Sequence, residues 1–125
     1  MRINRYQDIS QIDKEAKKDY FDRHSVFIHC ENKARVGEKF KVNVKVGDEY
    51  QHPDDYDHYI QWIQLWNRET MLAQATYSAG SQGNEPSNLE VDFYIKPKKR
   101  MRLTAHSYCT KHGLWQSEVK EVMIE

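Results

Sequence analysis

FKVNVKVG, residues 40–47, alternates without a break, with Phe40, Val42, Val44 and Val46 on one side and Lys41, Asn43 and Lys45 on the other. A period of two belongs to an extended chain with one face covered and one face wet, so this is a half-buried strand that Gly47 ends. Downstream the pattern recurs. GDEYQHPDDYD, 47–57, is a turn-rich segment punctuated by glycine, proline and aspartate, and HYIQWIQLWN, 58–67, follows as a strand. There His58, Ile60, Trp62 and Trp66 share one face and Tyr59, Ile63 and Leu65 the other, so both faces should be partly covered and the strand central. Met71 to Tyr77 reads as its hairpin partner, and AGSQGNEPSN, 79–88, as a polar loop returning to the alternating run Leu89, Val91, Phe93 and Ile95. A basic turn, Lys96 to Arg100, leads to strands at Met101 to Tyr108 and Ser117 to Ile124, separated by CTKHGLW, 109–115, where Gly113 supports a tight bend. About seven short strands without a long helix imply an all-β fold, an immunoglobulin-like antiparallel β-sandwich.

Upstream, residues 1–21 are polar and charged, with Ile9, Ile12 and Ala16 at near-helical spacing. They predict a short N-terminal extension, helix or loop, that covers one end of a domain running over 22–125. A chain of 125 residues buries one core and is too short for two ordinary domains. Its 12% aromatic content, including eight tyrosines, argues against disorder.

Nineteen basic and nineteen acidic residues cancel, so no global field draws the protein to nucleic acid or to anionic lipid. No stretch reaches the roughly 18 apolar residues needed to cross a bilayer, and MRINRYQDIS lacks the apolar run of a secretory signal. The expected address is the cytoplasm, without membrane association. Cys30 and Cys109 are the one pair available for the bridge of an immunoglobulin-type sandwich, but position 107 is serine where a tyrosine corner would sit, and reducing cytoplasm disfavours a disulfide.

A single loop histidine is ordinarily a solvated residue. Here His52 and His58 flank one loop, His112 stands three residues after Cys109 in another, and His24 precedes the first strand. Loops at one end of a sandwich converge, so these five groups can meet. Four imidazoles and a thiolate match structural zinc poorly, since zinc prefers four ligands at paired short spacings. They suit iron better, with the thiolate pushing electron density onto the metal and a sixth octahedral position left open.

HPDDYDHYIQWI at 52–63 and SYCTKHGLW at 107–115 resemble the paired motifs of superoxide reductases, the family of neelaredoxins and the iron domain of desulfoferrodoxins. The resemblance spans about Asp22 to Val119. It implies a superoxide reductase-like domain with one iron ion per chain, cycling between Fe2+ and Fe3+, with His24, His52, His58 and His112 equatorial and Cys109 axial. The family's first motif, Glu-Lys-His-x-Pro, corresponds to Asp22, Arg23, His24, Ser25 and Val26, so the histidine is kept and the proline is not. The resemblance implies that Asp22 matches a carboxylate able to take the open iron position after oxidation, and that Arg23 matches a positively charged lysine. The sequence holds two cysteines and no CxxC, so the expectation is a resemblance to the one-iron forms and not to desulfoferrodoxins with their CxxC-bearing domain. Cys30, His29 and His106 stay outside the expected site, with Cys30 a small buried hydrophobe.

One-electron reduction of superoxide to hydrogen peroxide is the activity implied, with a rubredoxin-like electron donor and a homo-oligomer, dimer or tetramer. Backbone amides around Lys111 to Gly113 are expected to donate to the Cys109 sulfur. Arg23, helped by Lys111, is expected to concentrate the superoxide anion. Two other readings use the same residues: an iron-binding electron-transfer or sensing protein with little reductase activity, and a metal-free interaction or sugar-binding module using Trp62, Trp66 and Trp115. The simpler expectation for these tryptophans is that they fill the core and shield the iron. Arg23→Ala should lower the second-order rate with superoxide by up to about tenfold at low ionic strength and flatten its salt dependence. Stopped-flow rates at several salt concentrations check this; an unchanged rate and slope would remove Arg23 from the mechanism.

Overall fold

The computed structural model describes residues 17–125 and the backbone of Tyr6–Gln7. Ile9, Ile12 and Ala16, which carry the expected N-terminal periodicity, lie outside the described residues. In chain order the elements are β1 (Tyr6–Gln7), α1 (Lys18–His24), β2 (Val26–His29), β3 (Lys33–Ala34), β4 (Phe40–Val46), β5 (Ile60–Asn67), β6 (Thr70–Thr76), β7 (Glu90–Ile95), β8 (Met101–Cys109), β9 (Gly113–Gln116) and β10 (Lys120–Ile124). The expected strands are present. The additional ones are the two-residue β1 and β3, the short β2, and β9, which forms where the sequence was read as the bend between the last two strands.

Two sheets form the sandwich. β2, β4 and β7 make a three-stranded antiparallel sheet, with Val26 opposite Val46 and Val42 opposite Phe93. The alternation of β4 is realised as expected, for Phe40, Val42, Val44 and Val46 are all buried. The larger sheet is organised on β8. β5 pairs along one of its edges and carries β6 on the outside; β9 and then β10 share the other edge. Between those two strands Ser117 keeps the ladder continuous: its N–H donates to the Ala105 carbonyl (2.8 Å), and its Oγ accepts from the Ala105 N–H (2.9 Å). Between the sheets lie Ile63, Leu65, Leu103, Ala105, Trp115 and Val122, at most 1% exposed, and each large side chain contributes about 1.5–3 kcal/mol by leaving water.

The faces of β5 depart from simple alternation. A register shift between Ile60 and Trp62 marks a bulge, so that Ile60 and Ile63 are both buried although they lie three residues apart. Trp62 and Trp66 are therefore turned out of the core that the sequence led us to expect. They sit half-buried on the outer face of the large sheet, Trp62 stacked on Tyr108 (5.7 Å, 17°) and Trp66 edge-on to His106 (5.8 Å). Of the three tryptophans only Trp115 is a core residue. Cys30 and Cys109 are both free thiols. Among the described residues no helix is long and apolar enough to cross a membrane.

Leu65→Ala should lower the unfolding free energy by about 2–5 kcal/mol, whereas Leu72→Ala, on the exposed side of β6, should cost less than about 1 kcal/mol. Urea titrations of the two variants against the parent measure both.

Candidate metal centre

Three segments end at the same edge of the sandwich. α1 gives way to extended backbone at Ser25, and β2 starts beside the end of β4, with Val26 opposite Val46. β5 starts beside the end of β8, with Ile60 opposite Cys109. His24 thus arrives at the end of α1, His52 and His58 from the loop before β5, and Cys109 and His112 from the turn between β8 and β9.

Sequence spacing alone fixes the inward face of α1: Phe21 and His24, three residues apart, are both buried. The Tyr20 carbonyl, one turn back, lies 2.7 Å from His24 Nδ1. A carbonyl only accepts, so Nδ1 carries the proton and Nε2 presents a lone pair. His52 repeats the device, its Nδ1 donating to the Pro53 carbonyl at 2.7 Å. That ring is fixed on the backbone too: His52 N–H donates to the Ser87 carbonyl and the Ser87 N–H to the His52 carbonyl, at 2.9 and 3.0 Å.

The four rings form a near-square. Consecutive neighbours, His24 to His52, His52 to His58, His58 to His112 and His112 to His24, have centroids 4.8–4.9 Å apart and planes crossing at 71–83°. His24 and His58 face each other across it at 6.2 Å. The Cys109 sulfur lies 3.3 Å from His52 Nε2 and 3.8 Å from His112 Nδ1, and His112 Nδ1 lies 3.2 Å from His58 Nε2. One donor atom from each of His24, His52, His58 and Cys109 falls within 4.8 Å of every other. Donors so spaced suit a single ion with bonds of about 2.0–2.3 Å after small shifts. His24 Nε2 is buried with no hydrogen-bond partner, an orphaned lone pair that a metal ion would satisfy.

Burial favours the neutral form of three of the rings. It lowers the His24 pKa to about 3 and the His52 pKa to about 4, against the opposing pull of their backbone carbonyls, and neighbouring imidazoles lower both further. His58 is also lowered, first by burial and then by the charge of Lys111. Neutral imidazole is the form that binds a metal.

Arg23 and Lys111 lie close enough to act on these rings: the Arg23 charge lowers both His52 and His58. The Arg23 guanidinium itself donates to the Asp19 carbonyl (3.2 Å) and pairs with the Asp19 carboxylate (3.4 Å). Asp22 lies outside the donor cluster, its Oδ2 accepting the backbone N–H groups of Asp48 (3.0 Å) and Tyr50 (2.7 Å). The His112 backbone N–H points at the Cys109 sulfur (3.4 Å). His29 stands exposed on β2 and His106 packs against Trp66, both away from the square.

Three residues support the rings, and of them only Trp115, the last residue of the second motif, was singled out by the sequence. Trp115 stacks flat on His24, 4.8 Å away at 14°. Tyr20 packs its ring against His24 and His112. Asp54, buried beside His52, accepts three backbone N–H groups from Gly80, Gln82 and Asn84 at 2.9–3.1 Å, fastening the glycine-containing loop to the site. An aspartate after proline is a visible turn signal, but its partners are at least 26 residues away.

The desulfoferrodoxin family model matches residues 11–118. The chain belongs to the desulfoferrodoxin family. It is 37% identical over 98 residues to a superoxide reductase of Pyrococcus furiosus, covering 68% of this chain and 79% of that protein. A neelaredoxin of Megalodesulfovibrio gigas is 29% identical over 110 residues, covering 77% of this chain and 84% of the other. Among solved structures of the family, the superoxide reductase (neelaredoxin) from Ignicoccus hospitalis superposes with a TM-score of 0.67 at 34% identity, over 82% of this chain and 81% of that one. The superoxide reductase from Nanoarchaeum equitans gives 0.65 at 33% identity, over 81% and 94%.

The neutral imidazoles set a pH limit on the metal-free protein. The unfolded chain binds protons on His24 and His52 below a pKa of about 6.5, the folded chain only near 3 and 4. Between those values the unfolded state holds more protons, so stability is present above pH 6.5 and is lost as pH falls toward the folded values. Urea midpoints of metal-free protein from pH 7 to 4 should fall steadily, and a His24→Gln, His52→Gln double variant should flatten that slope.

Proposed function

We propose that this protein is a superoxide reductase that converts superoxide to hydrogen peroxide at one iron ion held by His24, His52, His58, His112 and Cys109. The observation that carries this is the square of four imidazoles with a thiol against its edge, in a member of a family whose curated relatives include superoxide reductases. When bound, iron supplies Lewis acidity and the electron by which superoxide, with two protons, becomes hydrogen peroxide, the metal passing from ferrous to ferric. The hydrogen bonds of His24 and His52 to backbone carbonyls hold their rings in the ligating tautomer and orientation. The His112 N–H on the Cys109 sulfur draws charge from the thiolate and so tempers its donation.

Arg23 and Lys111 supply a local positive field in a molecule with no net charge, and it favours an anion. Arginine holds its proton too firmly to act as the acid, so solvent delivers the protons while Arg23 orders the water. Returning the electron requires a separate protein, rubredoxin-like by the resemblance of the chain, and the same resemblance supports a homo-oligomer.

Air-oxidised protein should contain one iron per chain and show a visible thiolate-to-ferric charge-transfer band, and the ferrous form should oxidise stoichiometrically on mixing with superoxide. Cys109→Ser should abolish the band. Stoichiometric iron without the band in the parent protein would remove Cys109 from the metal, and a banded protein inert to superoxide would favour the electron-transfer or sensing role.

A further inference from the structure

The segments carrying His24 and His52 meet beside Gly47. The Gly47 N–H donates to the Ser25 carbonyl (2.8 Å), and its φ of +79° places it in the left-handed region. A Cβ there would come within 2.6 Å of the Tyr50 carbonyl and 2.7 Å of Asn88 Nδ2, so the path of this turn is tightly set. Asn88 closes the turn from the other side, its Nδ2 donating to the carbonyls of Val46 (3.3 Å) and Tyr50 (3.0 Å). Two backbone donors of the turn, Asp48 N–H and Tyr50 N–H, both go to the single oxygen Oδ2 of Asp22.

We infer that Asp22 is a positioning residue that ties the helix bearing His24 to the turn leading into His52, and that it is not a donor to the reacting centre. Its place in the chain sharpens the point. Asp22 lies two residues before His24, the turn it holds ends two residues before His52, and those two rings are adjacent in the square at 4.9 Å. A carboxylate oxygen accepting two amide hydrogens loses much of its hydrogen bonding if it swings away, and it leaves two donors behind. The exposed pair of Lys18 with Glu49 (3.2 Å) bridges the same two segments and adds little by itself. Holding His24 and His52 in register is therefore the work of Asp22, the turn at Gly47 and Asn88. This differs from the role that the family's first motif implies for the matching position.

The inference rests on reading the square as an iron centre, and the test separates the two. Asp22→Asn keeps an oxygen that accepts N–H groups and removes the carboxylate; Asp22→Ala removes the acceptor. Hydrogen exchange of the peptide covering residues 47–51, followed by mass spectrometry on the iron-loaded proteins, reads the tie directly. Loss of ferrous iron to a chelator reads its effect on the site. Asp22→Ala should speed exchange of that peptide by about tenfold and release iron severalfold faster, while Asp22→Asn stays within about twofold of the parent in both and keeps the parent ferric spectrum. Unchanged exchange in Asp22→Ala would overturn the tie. A ferric spectrum altered in Asp22→Asn while the 47–51 peptide stays protected would overturn it as well, placing the carboxylate at the metal. If Asp22→Ala does not fold, Asp22→Asn decides by the same two readings. The expected exchange pattern in a protein inert to superoxide would support the tie and count against the reductase reading alone.

Discussion

Four imidazole rings packed edge to face at 4.8–4.9 Å, two of them buried, repel one another if they carry protons. Burial favours the neutral form in His24 and His52, and the backbone carbonyls of Tyr20 and Pro53 decide which nitrogen keeps the hydrogen. The result is a set of ring nitrogens gathered at one point, of which His24 Nε2 is buried with no hydrogen-bond partner. A cluster of this kind stores unsatisfied polarity that a cation relieves, so metal binding and local stability are linked.

The sandwich supplies the rigid rim. β8, paired on both edges, brings Cys109 to the end of the large sheet, and the bulge in β5 lies next to the pair Ile60 and Cys109, where the loop bearing His58 enters the strand. Loops would be poor supports for ligands if left to themselves, and here each is tied to another. His52 is bridged to Ser87, Asp54 gathers the amides of residues 80–84, and the Thr110 N–H bonds the Tyr59 carbonyl at 3.0 Å. Trp115, rooted in the core, supports His24 from one side by stacking.

Charge is handled separately from the ligands. Arg23 is held by Asp19 through one helical turn, so that its guanidinium stays near the site while its field still reaches His52 and His58. Lys111 acts on His58 from the turn between β8 and β9. A protein without net charge thus keeps two cations beside a centre in which burial disfavours charge on His24, His52 and His58.

Much of this was legible in the sequence. The alternation at 40–46 specified a one-sided strand because the period of two is a local property of the chain, and the histidine and cysteine motifs named the groups that the fold gathers. The additional strand at Gly113–Gln116, the bulge that turns Trp62 and Trp66 outward, and the tautomers of His24 and His52 depend on partners in space. Asp22 shows the limit most clearly: two residues from His24 its position invites a role at the metal, yet its carboxylate bonds to amides 26 and 28 residues further on. Local periodicity and residue chemistry determined what the chain could bind with. Only the tertiary structure decided where each polar atom points, because that depends on which donor or acceptor a distant segment leaves within reach.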